Sequence, residues 1–120
     1  MSLEVYLASN VEMTHVLEPT FIIAFVASWC PHSINACKEL SKFNIPKKIY
    51  AVDKEAFVDP TNLNSIIEEN TRFKYLYNKY IENNNVYKWK YPHIFMKNNV
   101  WHYVGGEESM KLLSQPKIKF

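Results

Sequence analysis

The chain reads as an α/β protein, a central mixed β-sheet flanked by helices, on three observations. Phe21 to Val26 is apolar at every position, the pattern of a strand covered on both faces. An amphipathic stretch opening at Pro31 follows it and leads into a second strand pattern, Lys48 to Val52. Near the end, His93–Met96 and Val100–Val104 flank Lys97-Asn98-Asn99, a hairpin signal. Strands alternating with helices and finishing in a hairpin place helices on the faces of a mixed sheet.

In chain order, the alternation from Leu3 to Leu7 predicts a short strand. Ser9 or Asn10 then caps a short helix carrying Val11, Val16 and Leu17, stopped by Pro19. After the central strand, Pro31 sits where a helix starts, its missing N–H harmless in a first turn. Ile34, Cys37, Leu40 and Ser41 form one stripe of that helix, widened by Ala36 and Phe43, and Asn44-Ile45-Pro46 ends it. Asp59-Pro60-Thr61-Asn62 is a turn and capping signal. Beyond it, Leu63, Ile66 and Ile67 begin a helical stripe that Phe73, Leu76, Tyr77, Tyr80 and Ile81 continue, an extended helical segment broken at Asn83-Asn84-Asn85. Gly105-Gly106 turns the chain after the hairpin, and Met110, Leu112 and Leu113 mark a closing helix. The predicted order is β-α-β-α-β-α-β-β-α.

The 120 residues fit one domain, 1–120, with chain enough for a core. An apolar fraction of 48% argues against disorder. A net charge of +2, carried by 13 Lys and the single Arg72, is too small for a nucleic-acid or membrane footprint. Two cysteines, Cys30 and Cys37, are too few for a disulfide framework. No secretory leader pattern, lipidation signal or apolar run of about 20 residues is present, so a reducing, cytoplasmic setting is the expectation. His15, His93 and His102, taken with Cys30, His32 and Cys37, give no zinc spacing, and no metal is expected.

Chemistry concentrates in Ser28-Trp29-Cys30-Pro31-His32-Ser33. A cysteine where a helix begins feels the positive end of the helix dipole and unpaired backbone N–H groups. Both favour thiolate, and a protonated His32 would add a cation, placing the expected thiol pKa below the free value of about 8.5. Thiolate is the nucleophilic form. On these local features alone, Cys30 reads equally well as a small buried hydrophobe.

Phe25 to Ser33 resembles the strand-to-helix active site of the thioredoxin superfamily, where Ala-x-Trp-Cys-x-x-Cys is common. Tyr91-Pro92-His93-Ile94 resembles the Tyr-Pro-Thr segment of thioredoxins and protein disulfide isomerases, and Lys97-Asn98-Asn99 with Tyr103-Val104-Gly105 resembles the family's final hairpin. The resemblance runs from about Leu3 to Leu113. It implies a thioredoxin fold, Cys30 as nucleophile, and Pro92 as a cis-proline facing the thiol. It also implies that Trp29, Pro31, Tyr91 and Pro92 hold the bound substrate chain.

The departures carry the functional reading. Ser33 stands where dithiol members have their resolving cysteine, so a mixed disulfide at Cys30 has no internal thiol to release it. Cys37 does not replace it: seven residues of helix span about 10.5 Å, and Cα atoms beyond about 7 Å cannot be bridged without distortion. Ala24 occupies the place of the family's buried carboxylate, which serves the resolving thiol, so thiol and base are absent together. Gly105-Gly106 followed by Glu107-Glu108 resembles the glutathione-holding segment of glutaredoxins, although Ala27 replaces their usual Lys; Lys88 and Lys90 are candidates for the missing charge.

The expectation is a monothiol thiol-disulfide oxidoreductase in which Cys30 forms mixed disulfides with protein substrates. His32 lowers the thiol pKa, and Ser33 donates a hydrogen bond to the thiolate. One alternative is a glutaredoxin-like enzyme using glutathione as co-substrate, bound near Gly106 and Glu107. The other is a redox-inactive adaptor binding a partner protein through the Tyr-rich segment. No resident cofactor is expected in any of the three.

Overall fold

A computed structural model describes residues 2–9, 18–82 and 91–107. Its centre is strand β1, Phe21–Val26. Side chains alternate across a strand, so Ile22, Ala24 and Val26 enter one apolar cluster while Ile23 and Phe25 enter the other. A strand with two buried faces has no polar position to offer, hence its uninterrupted apolar run.

Helix α2, Pro31–Leu40, covers the first face with Ser33, Ala36, Cys37 and Leu40, spaced i, i+3, i+4 and i+7. It returns the chain to β2, Lys47–Ala51, which pairs parallel with β1 in the register Ile22↔Lys47 to Val26↔Ala51. Strand β3, Ala56–Asp59, lies antiparallel to β2, and β4, Asn62–Glu69, folds back on β3. On the other side of β1 lies antiparallel β5, His93–Asn98, followed by β6, Val100–Gly105. The mixed sheet is ordered β4-β3-β2-β1-β5-β6. The β5–β6 hairpin turns at Asn99, whose φ of 67° lies in the left-handed region that Asn tolerates.

The second face is aromatic. Phe25, Tyr50, Phe57, Phe95 and Tyr103 project from the sheet, and helix α3, Thr71–Leu76, and a π-helical segment, Tyr77–Glu82, cover them with Phe73, Tyr77 and Ile81. Phe73 lies with its ring centroid 4.8 Å from Phe57 and 5.6 Å from Tyr50. The result is a mixed α/β arrangement, helices on both faces of a six-stranded sheet.

Three expectations change. Leu3 to Leu7 is not a strand but lies in helix α1, Leu3–Ala8, whose N-cap Ser2 accepts from the Val5 amide. Leu3 and Leu7 are buried, four apart, while Val5 is 55% exposed; the spacing that counts is i, i+4, not alternation. Leu63, Ile66 and Ile67 are not helical: they lie in β4, because Asp59 closes a tight turn by accepting from the Thr61 amide and hydroxyl. Leu63 reaches the core while Ile66 and Ile67 stay exposed. The extended helical segment therefore shrinks to α3 and its π-helical continuation, capped by Asn70. The helix expected after Asn10, the break at Asn83-Asn84-Asn85 and the closing helix at Met110 lie outside the described residues. Among the described residues no helix is long and apolar enough to cross a membrane.

Candidate active site

In a parallel β-α-β unit both strands end at the same edge of the sheet, so residues just beyond β1 and β2 meet there. Beyond β1 come Ala27, Ser28, Trp29 and Cys30; beyond β2 come Val52 and Asp53. Cys30 is the N-cap of α2, and its side chain makes no capping hydrogen bond. Its carbonyl accepts from the Ile34 amide at 3.0 Å, and its own amide donates to the Ala27 carbonyl at 3.1 Å. The residue is 8% exposed, whereas the neighbouring Trp29 is 68% exposed. Both cysteines are unbridged.

Two side chains secure this connection. From α2, the oxygen of buried Ser33 accepts from the Ala27 amide at 3.2 Å. From the end of β2, Asp53 accepts twice from Ser28: its backbone N–H donates to Oδ1 at 2.9 Å, and its hydroxyl donates to Oδ2. Burial pushes the Asp53 carboxyl up, but the Ser28 hydrogen bonds outweigh it and hold the group below the usual aspartate value.

An aromatic wall stands beside the connection. Trp29 meets Tyr91 edge-on, ring centroids 6.3 Å apart. Tyr91 stacks on Tyr77 at 6.0 Å, and the two hydroxyls share a 2.5 Å hydrogen bond. Burial raises both phenols; the hydrogen bond raises Tyr77 further and partly offsets the rise at Tyr91, on which Glu82, Asp53 and Cys30 also act electrostatically. The Tyr91–Pro92 peptide bond is cis, and Pro92 is buried. Behind Tyr91, His93 is 3% exposed, and burial pushes its imidazole down to about 4.

On the outer side, His32 Nδ1 lies 2.5 Å from Glu107 Oε2. This pair ties the first turn of α2 to the chain just beyond Gly105 and buried Gly106. With His32 70% exposed, the contact is a surface one whose worth is about 0–1 kcal/mol. Pro31, the first helical residue, is exposed.

The structure thus brings Trp29, Cys30 and Tyr91 together, and separately joins His32 to Glu107. Ser33, expected as a donor to the Cys30 thiolate, is fully buried and uses its oxygen to accept from the Ala27 amide. Cys37 is also fully buried, and burial pushes its thiol up to about 12. Lys88 and Lys90 lie outside the described residues. Among the described residues no cluster of three or more His, Cys, Asp or Glu could hold a metal.

Two residues escaped the sequence reading. Asp53 carried a signal, since it directly follows the strand predicted over Lys48 to Val52, the one after the helix that opens at Pro31. Tyr77 lay in a helical stripe indistinguishable from core; only the fold places it against Tyr91. No family model, curated protein or solved structure matches this chain.

Proposed function

We propose that this is a thioredoxin-fold protein that exchanges disulfides through the single thiol of Cys30. The observation that carries the reading is the placement of Cys30. It ends the β1–α2 connection at the sheet's carboxyl edge, where strand-end loops gather ligand-contacting groups, and caps α2 without a side-chain hydrogen bond. The exposed Trp29 and the Tyr91 ring beside it offer a surface for a substrate chain.

In the forward step the Cys30 thiolate attacks one sulfur of a substrate disulfide. A bond forms between Cys30 Sγ and that sulfur, the substrate's S–S bond breaks, and the departing thiolate takes up a proton. The disulfide is reduced at one sulfur while Cys30 is oxidised into the mixed disulfide. Trp29, Pro31, Tyr91 and Pro92 flank the bound chain, and Gly106 and Glu107 border its outer side. His32, two residues after Cys30 in the first turn of α2, adds a positive charge to that end of the helix when protonated, and Glu107 pairs with it at the surface. With Ser33 in place of a second thiol and Cys37 buried, release requires an external thiol, which a reducing cytoplasm supplies as glutathione.

The test is capture of a cysteine peptide activated as its pyridyl disulfide, followed by mass spectrometry. The native protein is expected to gain one peptide, on Cys30, and Cys30→Ser none. Cys37 is expected to react only after unfolding. A native adduct on Cys37 as fast as on Cys30, or no adduct at all, defeats the reading.

A further inference from the structure

Asp53 is an ionised side chain with both carboxylate oxygens committed to one residue, Ser28, two positions before Cys30. The bonds cross between elements: Asp53 follows β2, while Ser28 follows β1. Together with Ser33 accepting from Ala27, they fix consecutive residues of the connection from two sides. The Asp53 carboxylate also acts electrostatically on the Tyr91 phenol of the aromatic wall, raising it. Charge-assisted hydrogen bonds are the strong ones, and a bidentate arrangement adds direction to strength.

Resting on the reading of Cys30 as the exchanging thiol, we propose that Asp53 is its positioning residue. By gripping the Ser28 amide and hydroxyl, the carboxylate holds Trp29 and Cys30 in register with Tyr91, so an approaching disulfide meets the thiol along a fixed line. Asp53 does not touch the reacting sulfurs. In-line attack at sulfur is sensitive to placement, whereas alkylation by a small, freely tumbling reagent is not.

Two probes separate the two properties: a ten-residue cysteine peptide activated as its pyridyl disulfide, and iodoacetamide. Capture of the peptide joins Cys30 to the peptide sulfur and expels pyridinethiolate, which takes up a proton. Asp53→Ala is expected to slow peptide capture about tenfold or more. Its iodoacetamide rate is expected to stay within about twofold, and the Ser28 amide to lose hydrogen-exchange protection. Ser28→Ala, which removes only the hydroxyl bond, is expected to have a smaller effect in the same direction. The double variant is expected to match Asp53→Ala alone, because the two side chains act as one unit. Should Asp53→Ala fail to fold, Asp53→Asn keeps one accepting oxygen and is expected to fall between wild type and Ala.

Unchanged peptide capture in the Asp53 variants overturns the proposal, as do equal losses with both probes or additive effects in the double variant. Failure of the wild-type protein to capture the peptide, with Cys30 still alkylated, is a different result. It defeats the exchange function itself, and the positioning role with it.

Discussion

Ser33 and Cys37 show how burial decides what a side chain can do. Ser33 accepts from the amide of Ala27, a residue 2% exposed. Removing that acceptor strands a buried N–H, so Ser33→Ala is expected to lower unfolding free energy by about 1–3 kcal/mol, read from urea unfolding. A Ser33 that served only the thiolate would leave stability unchanged. Cys37 packs among Ile22, Ala36 and Leu40, where burial keeps the thiol neutral. Its role was legible in the sequence from helix periodicity alone. The other role expected of Ser33, donating its O–H to the thiolate, comes from its place in the motif, and the motif does not show which backbone amide its oxygen accepts from.

At the level of elements, α1 and β4 are where short-range pattern and fold diverge. Leu3, Val5 and Leu7 satisfy both an alternating strand and an i, i+4 helix, and only burial of the first and third against the aromatic face resolves them. In β4 the helical-looking triple Leu63, Ile66, Ile67 is split, with Leu63 6% exposed and Ile67 69% exposed. Leu63→Ala is therefore expected to cost about 2–4 kcal/mol, and Ile67→Lys less than about 0.5 kcal/mol, by thermal or urea unfolding. Comparable costs at the two positions would contradict the strand. Strands β1, β2, β5 and β6, by contrast, fall within a residue or two of where the apolar runs place them. Buried on one or both faces and bounded by turn residues, they leave little room for another reading.

For the whole molecule, the buried His93 sets a pH dependence. Burial holds its imidazole at about 4 in the folded chain, against about 6.5 when unfolded. As pH falls below about 6.5 the unfolded chain takes up this proton first, so stability is full above that value and is lost progressively down to about 4. The loss attributable to His93 is roughly 3 kcal/mol. Asp53, held below its usual value, adds a loss of the same sign at still lower pH. Urea midpoints are expected to hold from pH 7.5 to about 6.5 and to fall from there to pH 4.5, and a flat profile would refute the buried neutral imidazole. Local sequence settles what repeats locally: the two-faced central strand, the helix opening at Pro31 with Cys30 at its head, and the closing hairpin. Side-chain periodicity and φ preferences fix these over a few residues. The tertiary structure alone decided that Asp53 grips Ser28, that Tyr77 pairs with Tyr91, and that His32 meets Glu107. Each joins residues 14 to 75 positions apart in the chain. Such contacts depend on strand order and register, which no local pattern encodes.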